Sequence, residues 1–432
     1  MKQYMIIGLL VGGASTIHAQ ENGLLEQYRK QVIEYNQDIK AADHSAAMYM
    51  EMKKSAKADF FPKLSADANF NYTGNPLELT RQLPGMESPV SIQGKDTKYG
   101  ASLTLAQPLY AGGAIKAGYE KSKKETEMAG NEKQRILHNV IYDADVCYWN
   151  AVAQTEMVRV AEEYKTSVER LVEVVEHRVE VDFTDKNDLL LTEVKLNDAR
   201  YQLLQAKNNQ EISRMELNSL AGIPFSDTIS IAPFIQELHQ AEQLPEVEAA
   251  MNARPELKIA QNQVDIQSSV SKIENAKFLP KFSVGIDGSY FSPGYDLTSD
   301  LSPNYAVYAK LSVPIFEWGK RKSTRKAGKL SVNRVKEYQS KAQDRIRLEI
   351  ETSYYAYTQA VEKVLLTESS LQKAAESESV TMSKYKEGNV SIVEAIDAQI
   401  YHQQAKINYI QSKLNAQIAK SKFEKSIGRM NK

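Results

Sequence analysis

Pro108, Gly113, Tyr148, Ala199 and Gly222 recur as Pro314, Gly319, Tyr354, Ala405 and Gly428, every pair separated by 206 residues. A constant offset leaves no room for an insertion anywhere in the span. Upstream, Ala58, Pro62, Lys63, Ser65 and Tyr72 recur as Ala276, Pro280, Lys281, Ser283 and Tyr290 at a constant 218, so the difference of 12 residues falls in the loop between the two sets. The chain reads as one unit written twice, and internal repetition sets architecture before any single motif is considered.

Each copy is dominated by a helical hairpin. In the first, the charged, almost proline-free run 112–220 rises for about 70 residues, breaks at Asp182 to Asn187, and returns. At about 1.5 Å per residue the rising arm reaches roughly 100 Å, well beyond an ordinary globular helix. The returning arm carries a heptad seam of alternating large and small residues: Leu189, Thr192, Leu196, Ala199, Leu203, Ala206, Gln210, Ser213, Leu217 and Leu220. Small seam positions let helices approach closely. A second stripe, Leu190, Val194, Tyr201, Leu204 and Met215, lies beside it, so this helix expects neighbours on two sides. That suits a wall of helices rather than an isolated pair.

Upstream of each hairpin the period changes from helical to two. Leu64, Ala66, Ala68, Phe70 and Tyr72 alternate with polar residues, as do Tyr99, Ala101, Leu103 and Leu105; in the second half the apolar sets are Phe282, Val284, Ile286 and Tyr290, then Tyr305, Val307, Ala309, Leu311 and Val313. Four strands of about ten residues, apolar on one face, have the length and pattern of tilted transmembrane strands. Aromatics mark both ends: Tyr72, Tyr99, Tyr290 and Tyr305 toward the loops, Phe60, Phe61, Tyr110, Phe278, Phe316 and Trp318 toward the helices, as two interfacial girdles require. Pro62, Pro108, Pro280 and Pro314 stand at the strand–helix junctions, and the connecting runs 73–96 and 291–304 are expected to be solvent-facing loops. Four strands cannot close a barrel, and open edges are not tolerated in lipid, so the strand count itself calls for oligomerisation.

Residues 1–19 read as a signal peptide: a lysine, an apolar run and a small-residue end before Gln20. No later run approaches the ~18 apolar residues of a membrane helix. The only cysteine, Cys147, excludes a disulfide framework, and a formal net charge of −1 gives no nucleic-acid-type surface. Met48, Met50 and Met52 do not share a helix face and read as gap-fillers rather than a soft-metal site. His44, His138, His177, His239 and His402 have no metal-ligand spacing, and no nucleophile elbow or phosphate loop appears, so no enzyme activity, metal or cofactor is expected.

Several runs, in this order and largely in duplicate, are specific. These are Arg254-Pro255-Glu256-Leu257, Leu279-Pro280-Lys281-Phe282, Gln107 to Gly113, Val313 to Gly319, and Tyr385 to Ala405. Through them the chain resembles the TolC-type outer-membrane factor family over essentially its whole mature length. The resemblance implies a mixed α and β membrane protein: a homotrimer whose four strands per chain close a 12-stranded transmembrane β-barrel in the outer membrane, continued by a long α-helical barrel in the periplasm. It implies a passive channel-tunnel of a tripartite efflux or type I secretion system, working with a periplasmic adaptor and an inner-membrane pump of RND, ABC or MFS type. The domain reading is a first repeat over 20–222, a mid-height segment over 223–252 and a second repeat over 253–432.

Two sets of residues inherit expectations from that resemblance. The hairpin tips, with Asp182, Asp185 and Lys186 in the first and Gly388, Asn389 and Ser391 in the second, are the expected adaptor-docking ends. Asp188, its repeat partner Glu394, and Asp397 are expected at a constricted periplasmic entrance, where threefold symmetry would make rings of like charge that favour cations. Acids in a first helical turn also complement the helix dipole. Asp182 stands where family members commonly carry glycine, and Leu191 stands opposite Asp397, so the two tips differ chemically. The competing function is a periplasmic adaptor, which also has long helical hairpins but should have one of them, flanked by lipoyl-like halves.

Overall fold

The computed structural model describes residues 23–294 and 300–430. The expected signal peptide lies outside them. Helical residues 23–35 (α1) lead into α2 (Gln37–Ala58), β1 (Lys63–Tyr72), β2 (Glu78–Arg81), β3 (Val90–Gln93) and β4 (Thr97–Ala111). Next come α3 (Ala114–Glu180), α4 (Lys186–Ala221), α5 (Val247–Ala253), α6 (Pro255–Ala276), β5 (Lys281–Ser292), β6 (Ser302–Ser312), α7 (Lys320–Glu387) and α8 (Ile392–Ser426). The chain divides into two compact units: Ser45–Ala129 with Ala260–Gln339, and the remainder. No described helix is long and apolar enough to cross a membrane.

The first of these units holds a four-stranded antiparallel sheet in the order β1-β4-β5-β6. Its register turns the sequence alternation into rows. Leu64, Leu105, Ile286 and Val307 lie side by side across all four strands, and Asp67, Ser102, Ser289 and Asn304 do the same on the opposite face. The apolar row is exposed, as are Phe70, Leu103, Tyr305 and Leu311, so one face of the sheet is an uncovered hydrophobic surface. β1 and β6 are edges with no further strand beside them among the described residues.

The junction prolines are not equivalent. Pro62 and Pro280 immediately precede β1 and β5, and Pro314 follows β6, but β4 continues through Pro108 to Ala111 with a register shift between Pro108 and Tyr110. A proline cannot donate to the ladder, and the irregularity absorbs its missing N–H without ending the strand. The run 73–96 is also more ordered than a plain loop, because β2 and β3 pair as a small hairpin from Glu78↔Gln93 to Arg81↔Val90.

The other unit is helical, and its core forms where the arms pack together. Tyr28, Tyr148, Val152, Leu217 and Ile235 bury completely or nearly so in one cluster, and Ile346, Ile350, Tyr357 and Phe423 in another. Each such side chain stabilises by about 1.5–3 kcal/mol. Two buried phenols of the first cluster are satisfied: Tyr28 donates to the Leu217 carbonyl at 3.1 Å and Tyr148 accepts from the Ala232 amide at 3.0 Å. Those two bonds fix α4 and the non-helical run after it against α1 and α3.

The two stripes of α4 part company here. The heptad seam is buried or half-buried throughout, with Thr192 and Ala199 fully enclosed, whereas Leu190, Val194, Tyr201, Leu204 and Met215 are 40–69% exposed. Met48, Met50 and Met52 are likewise exposed, so within one chain they fill no gap.

Candidate functional site at the hairpin tips

Helices α3 and α7 are 67 and 68 residues long, and both stop in the same way. The Phe183 amide reaches back to the Arg178 carbonyl at 2.8 Å and the Asp182 amide to Val179 at 3.1 Å; the Asn389 amide bonds Lys384 at 2.9 Å and the Gly388 amide bonds Tyr385 at 3.0 Å. These paired bonds are the Schellman pattern, which needs a left-handed residue one position past the helix. Gly388 supplies it at φ 81°, and Asp182 at φ 54°. Asp tolerates this region better than most side-chain-bearing residues, which explains how the first tip dispenses with glycine.

The returning helices restart with different caps. Asp185 accepts from the Asn187 amide at 3.1 Å at the start of α4. At the start of α8, Ser391 and Glu394 form a reciprocal capping box: the Ser391 hydroxyl accepts from the Glu394 amide at 3.3 Å while the Glu394 carboxylate accepts from the Ser391 amide at 3.4 Å and from its hydroxyl at 3.0 Å.

The structure brings the two tips together through residues that pattern reading missed. The Arg178 guanidinium donates to the backbone carbonyls of Tyr385 at 2.7 Å and Lys386 at 2.9 Å, and stacks 4.9 Å from the Phe183 ring and 4.5 Å from the Tyr385 ring. Phe183 in turn lies where a Cβ on Gly388 would come within 3.2 Å of its ring. Beneath this clasp Leu171, Val175, Tyr385, Ile392 and Ile396 form a small core. Tyr385 is buried with no partner for its hydroxyl among the described residues; burial pushes the phenol up, the Arg178 charge opposes this, and Asp188 adds to the rise. A basic residue in the last turn of α3 and an aromatic in the following break were visible in the sequence, but their partner lies 207 residues away.

Of the expected docking residues, Asp182, Asp185, Lys186, Gly388, Asn389 and Ser391 are all exposed. The three entrance acids differ. Asp188 accepts a hydrogen bond from the Thr184 hydroxyl and is half-buried, and Glu394 is engaged in its capping box. Asp397 is exposed, one turn further along α8, and its carboxylate has no hydrogen bond or ion pair among the described residues.

The same architecture occurs in known proteins. Among curated proteins the chain is 23% identical over 258 residues to the alkaline protease secretion protein AprF of Pseudomonas aeruginosa, covering 58% of this chain and 52% of that protein. It is 24% identical over 297 residues to the solvent efflux pump outer membrane protein SrpC of Pseudomonas putida, covering 67% and 60%. The matched spans are thus little more than half the length of those relatives. The fold superposes on the outer-membrane channel OprN with a TM-score of 0.80 at 15% identity, covering 94% of this chain and 90% of that one. The model of the outer membrane efflux protein family matches residues 29–223 and 247–429. With most of its length matched on both sides of the segment that holds neither hairpin nor sheet, the chain belongs to the outer membrane efflux protein family.

Proposed function

We propose that the protein is the outer-membrane channel of a tripartite efflux or type I secretion system. Three copies of a four-stranded sheet give a closed barrel of twelve strands, and the helices continue it as a tunnel across the periplasm. Substrates pass through it passively from an inner-membrane pump, received through a periplasmic adaptor. The observation that carries this reading is the sheet: a row of Leu64, Leu105, Ile286 and Val307 on one exposed face, a row of Asp67, Ser102, Ser289 and Asn304 on the other, and two open edges. An apolar face suits lipid, a polar face suits a water-filled lumen, and open edges suit pairing with further copies. The exposed second stripe on α4 supports the same assembly, because it supplies an apolar face that one chain leaves uncovered. The adaptor alternative has no use for such a sheet.

Within this reading the exposed tip residues are where adaptor helices dock, and the entrance acids form charged rings by symmetry. The decisive experiment is native mass spectrometry of the detergent-extracted protein together with planar-bilayer conductance. A trimer that forms cation-selective channels is expected. A detergent-independent soluble monomer without conductance would overturn the proposal.

A further inference from the structure

The starts of α3 and α7 occupy matching places after β4 and β6 but carry positive charge differently: of the four lysines up to Lys124 in α3, Lys116 and Lys123 are exposed without an ion pair among the described residues and the other two are paired. At the start of α3, Lys121 pairs with Glu125 at 2.8 Å, and Lys124 with Glu127 at 2.8 Å and Asp265 at 3.5 Å. At the start of α7, Lys320, Arg321, Lys322, Arg325, Lys326 and Lys329 are six cations within ten residues. All six are exposed, and none has an ion-pair partner among the described residues. Their placement is costly, because the positive end of a helix dipole disfavours cations, and the first turn of α7 contains no acid to offset them.

The geometry narrows what could meet this charge. Arg321, Lys322, Arg325, Lys326 and Lys329 recur at helical spacing and line a concave surface together with Ile315, Phe316 and Glu317, which precede α7. Just before it, Leu311 is 65%, Ile315 94%, Phe316 71% and Trp318 91% exposed, and Phe316 and Trp318 stack edge-on at 5.0 Å. The surface is therefore apolar and aromatic on the side of the lipid-type strand and cationic on the side leading away from it. Glu317 is the single acid in it. A free anion would use the cations but not the apolar half, whereas an amphiphile with a negative headgroup uses both.

We infer that this surface binds the headgroup of an anionic glycerophospholipid of the leaflet next to the helices, with its acyl chains along Leu311, Ile315 and Phe316. The inference rests on the membrane-channel reading above, and it adds a lipid site to one of the two strand–helix junctions and not to the other. Cationic residues close to an anionic bilayer surface each contribute a factor of about five in binding.

The test is native mass spectrometry of the full-length protein in a non-ionic detergent, titrated with phosphatidylglycerol or phosphatidylcholine. Preferential retention of phosphatidylglycerol is expected, and Arg321→Gln with Arg325→Gln and Lys329→Gln should abolish the preference. Arg321→Lys with Arg325→Lys should keep it, as should Lys121→Gln with Lys124→Gln in α3. Equal phosphatidylglycerol retention by the parent and the triple variant overturns the inference, as does a triple variant that dissociates to monomers while its lipid preference is unchanged, because the cations then face a second copy of the chain. If the parent itself neither assembles nor conducts in bilayers, it is the channel reading that fails.

Discussion

The two long hairpins have nearly the same lengths and the same Schellman ends, yet each is anchored at its base by a different arginine, half-buried in the first and buried in the second. In the first, Arg29 of α1 grips Asp145 of α3 at 2.6 and 2.7 Å, and Asp145 also accepts from Ser421 of α8 at 2.6 Å. In the second, Arg254 pairs with Glu256 at 2.8 and 3.0 Å and with Glu349 of α7 at 3.2 and 3.3 Å, and donates to the Ser426 carbonyl at the end of α8 at 2.9 Å. The carboxylates differ in what they can fall back on: Asp145 is fully buried, while the Glu349 side chain is 35% exposed. A hairpin base can thus be tied through one fully buried carboxylate, or through a fork of two partly exposed ones whose arginine also ties down the end of α8.

The largest expected effect tests that difference. Arg29→Met strands a buried carboxylate and should cost about 3–5 kcal/mol, the range for breaking a buried pair. Arg254→Met should cost less, because Glu349 can turn to water. Thermal unfolding of both variants in detergent measures the order, and a larger loss for Arg254→Met would refute the burial argument.

Next in size come the tips. Gly388→Val forces a β-branched residue to φ 81° against Phe183 and should cost about 1–3 kcal/mol. Asp182→Gly should be neutral or stabilise by up to about 1 kcal/mol, since it relieves a left-handed Asp. A loss of stability in Asp182→Gly would mean that its side chain, and not only its backbone, holds the first tip.

The caps separate structure from conduction. Glu394→Ala removes half of a capping box and should cost about 0.5–1 kcal/mol. Asp397→Asn touches no bond and should leave the melting temperature unchanged while weakening cation selectivity in planar bilayers. Unaltered selectivity in Asp397→Asn would remove that residue from the proposed entrance ring.

The smallest effects are in pH dependence, and they have opposite signs at the two bases. Burial raises the Glu424 carboxyl beside Arg29, more than Lys420 and Arg29 lower it. Its charged form therefore costs stability above the folded pKa, and the cost disappears as pH falls through that value toward 4.5. Burial would also raise Glu256, but the hydrogen bond and charge of Arg254 outweigh it and hold the carboxyl below 4.5. That contribution is present above pH 4.5 and is lost as pH falls through the lowered folded value. Accordingly Glu424→Gln should raise, and Glu256→Gln lower, the neutral-pH melting temperature, both differences shrinking in acid. The same sign for both would show that the bases are electrostatically alike.

The sequence by itself determined the period of the long segments: the helical arms, where they turn, and the four sheet strands with the side of each that is apolar, though not the short β2–β3 hairpin. Those properties are local, because side-chain direction repeats every two or 3.6 residues whatever lies nearby. It also marked the tips, since glycine, Asp and Ser at helix ends act on backbone groups within a few positions. Only the tertiary structure decided which of the two α4 stripes is covered within one chain: the covered one includes Thr192, Gln210 and Ser213 and the exposed one is the more apolar, because burial depends on what stands opposite. It alone paired Arg178 with a carbonyl 207 residues away and Arg29 with Asp145. It also left the Asp397 carboxylate without a partner among the described residues. The reason is that a charge has no partner until the chain folds, and the energy of a charged side chain is set by the few atoms that end up within about 4 Å of it.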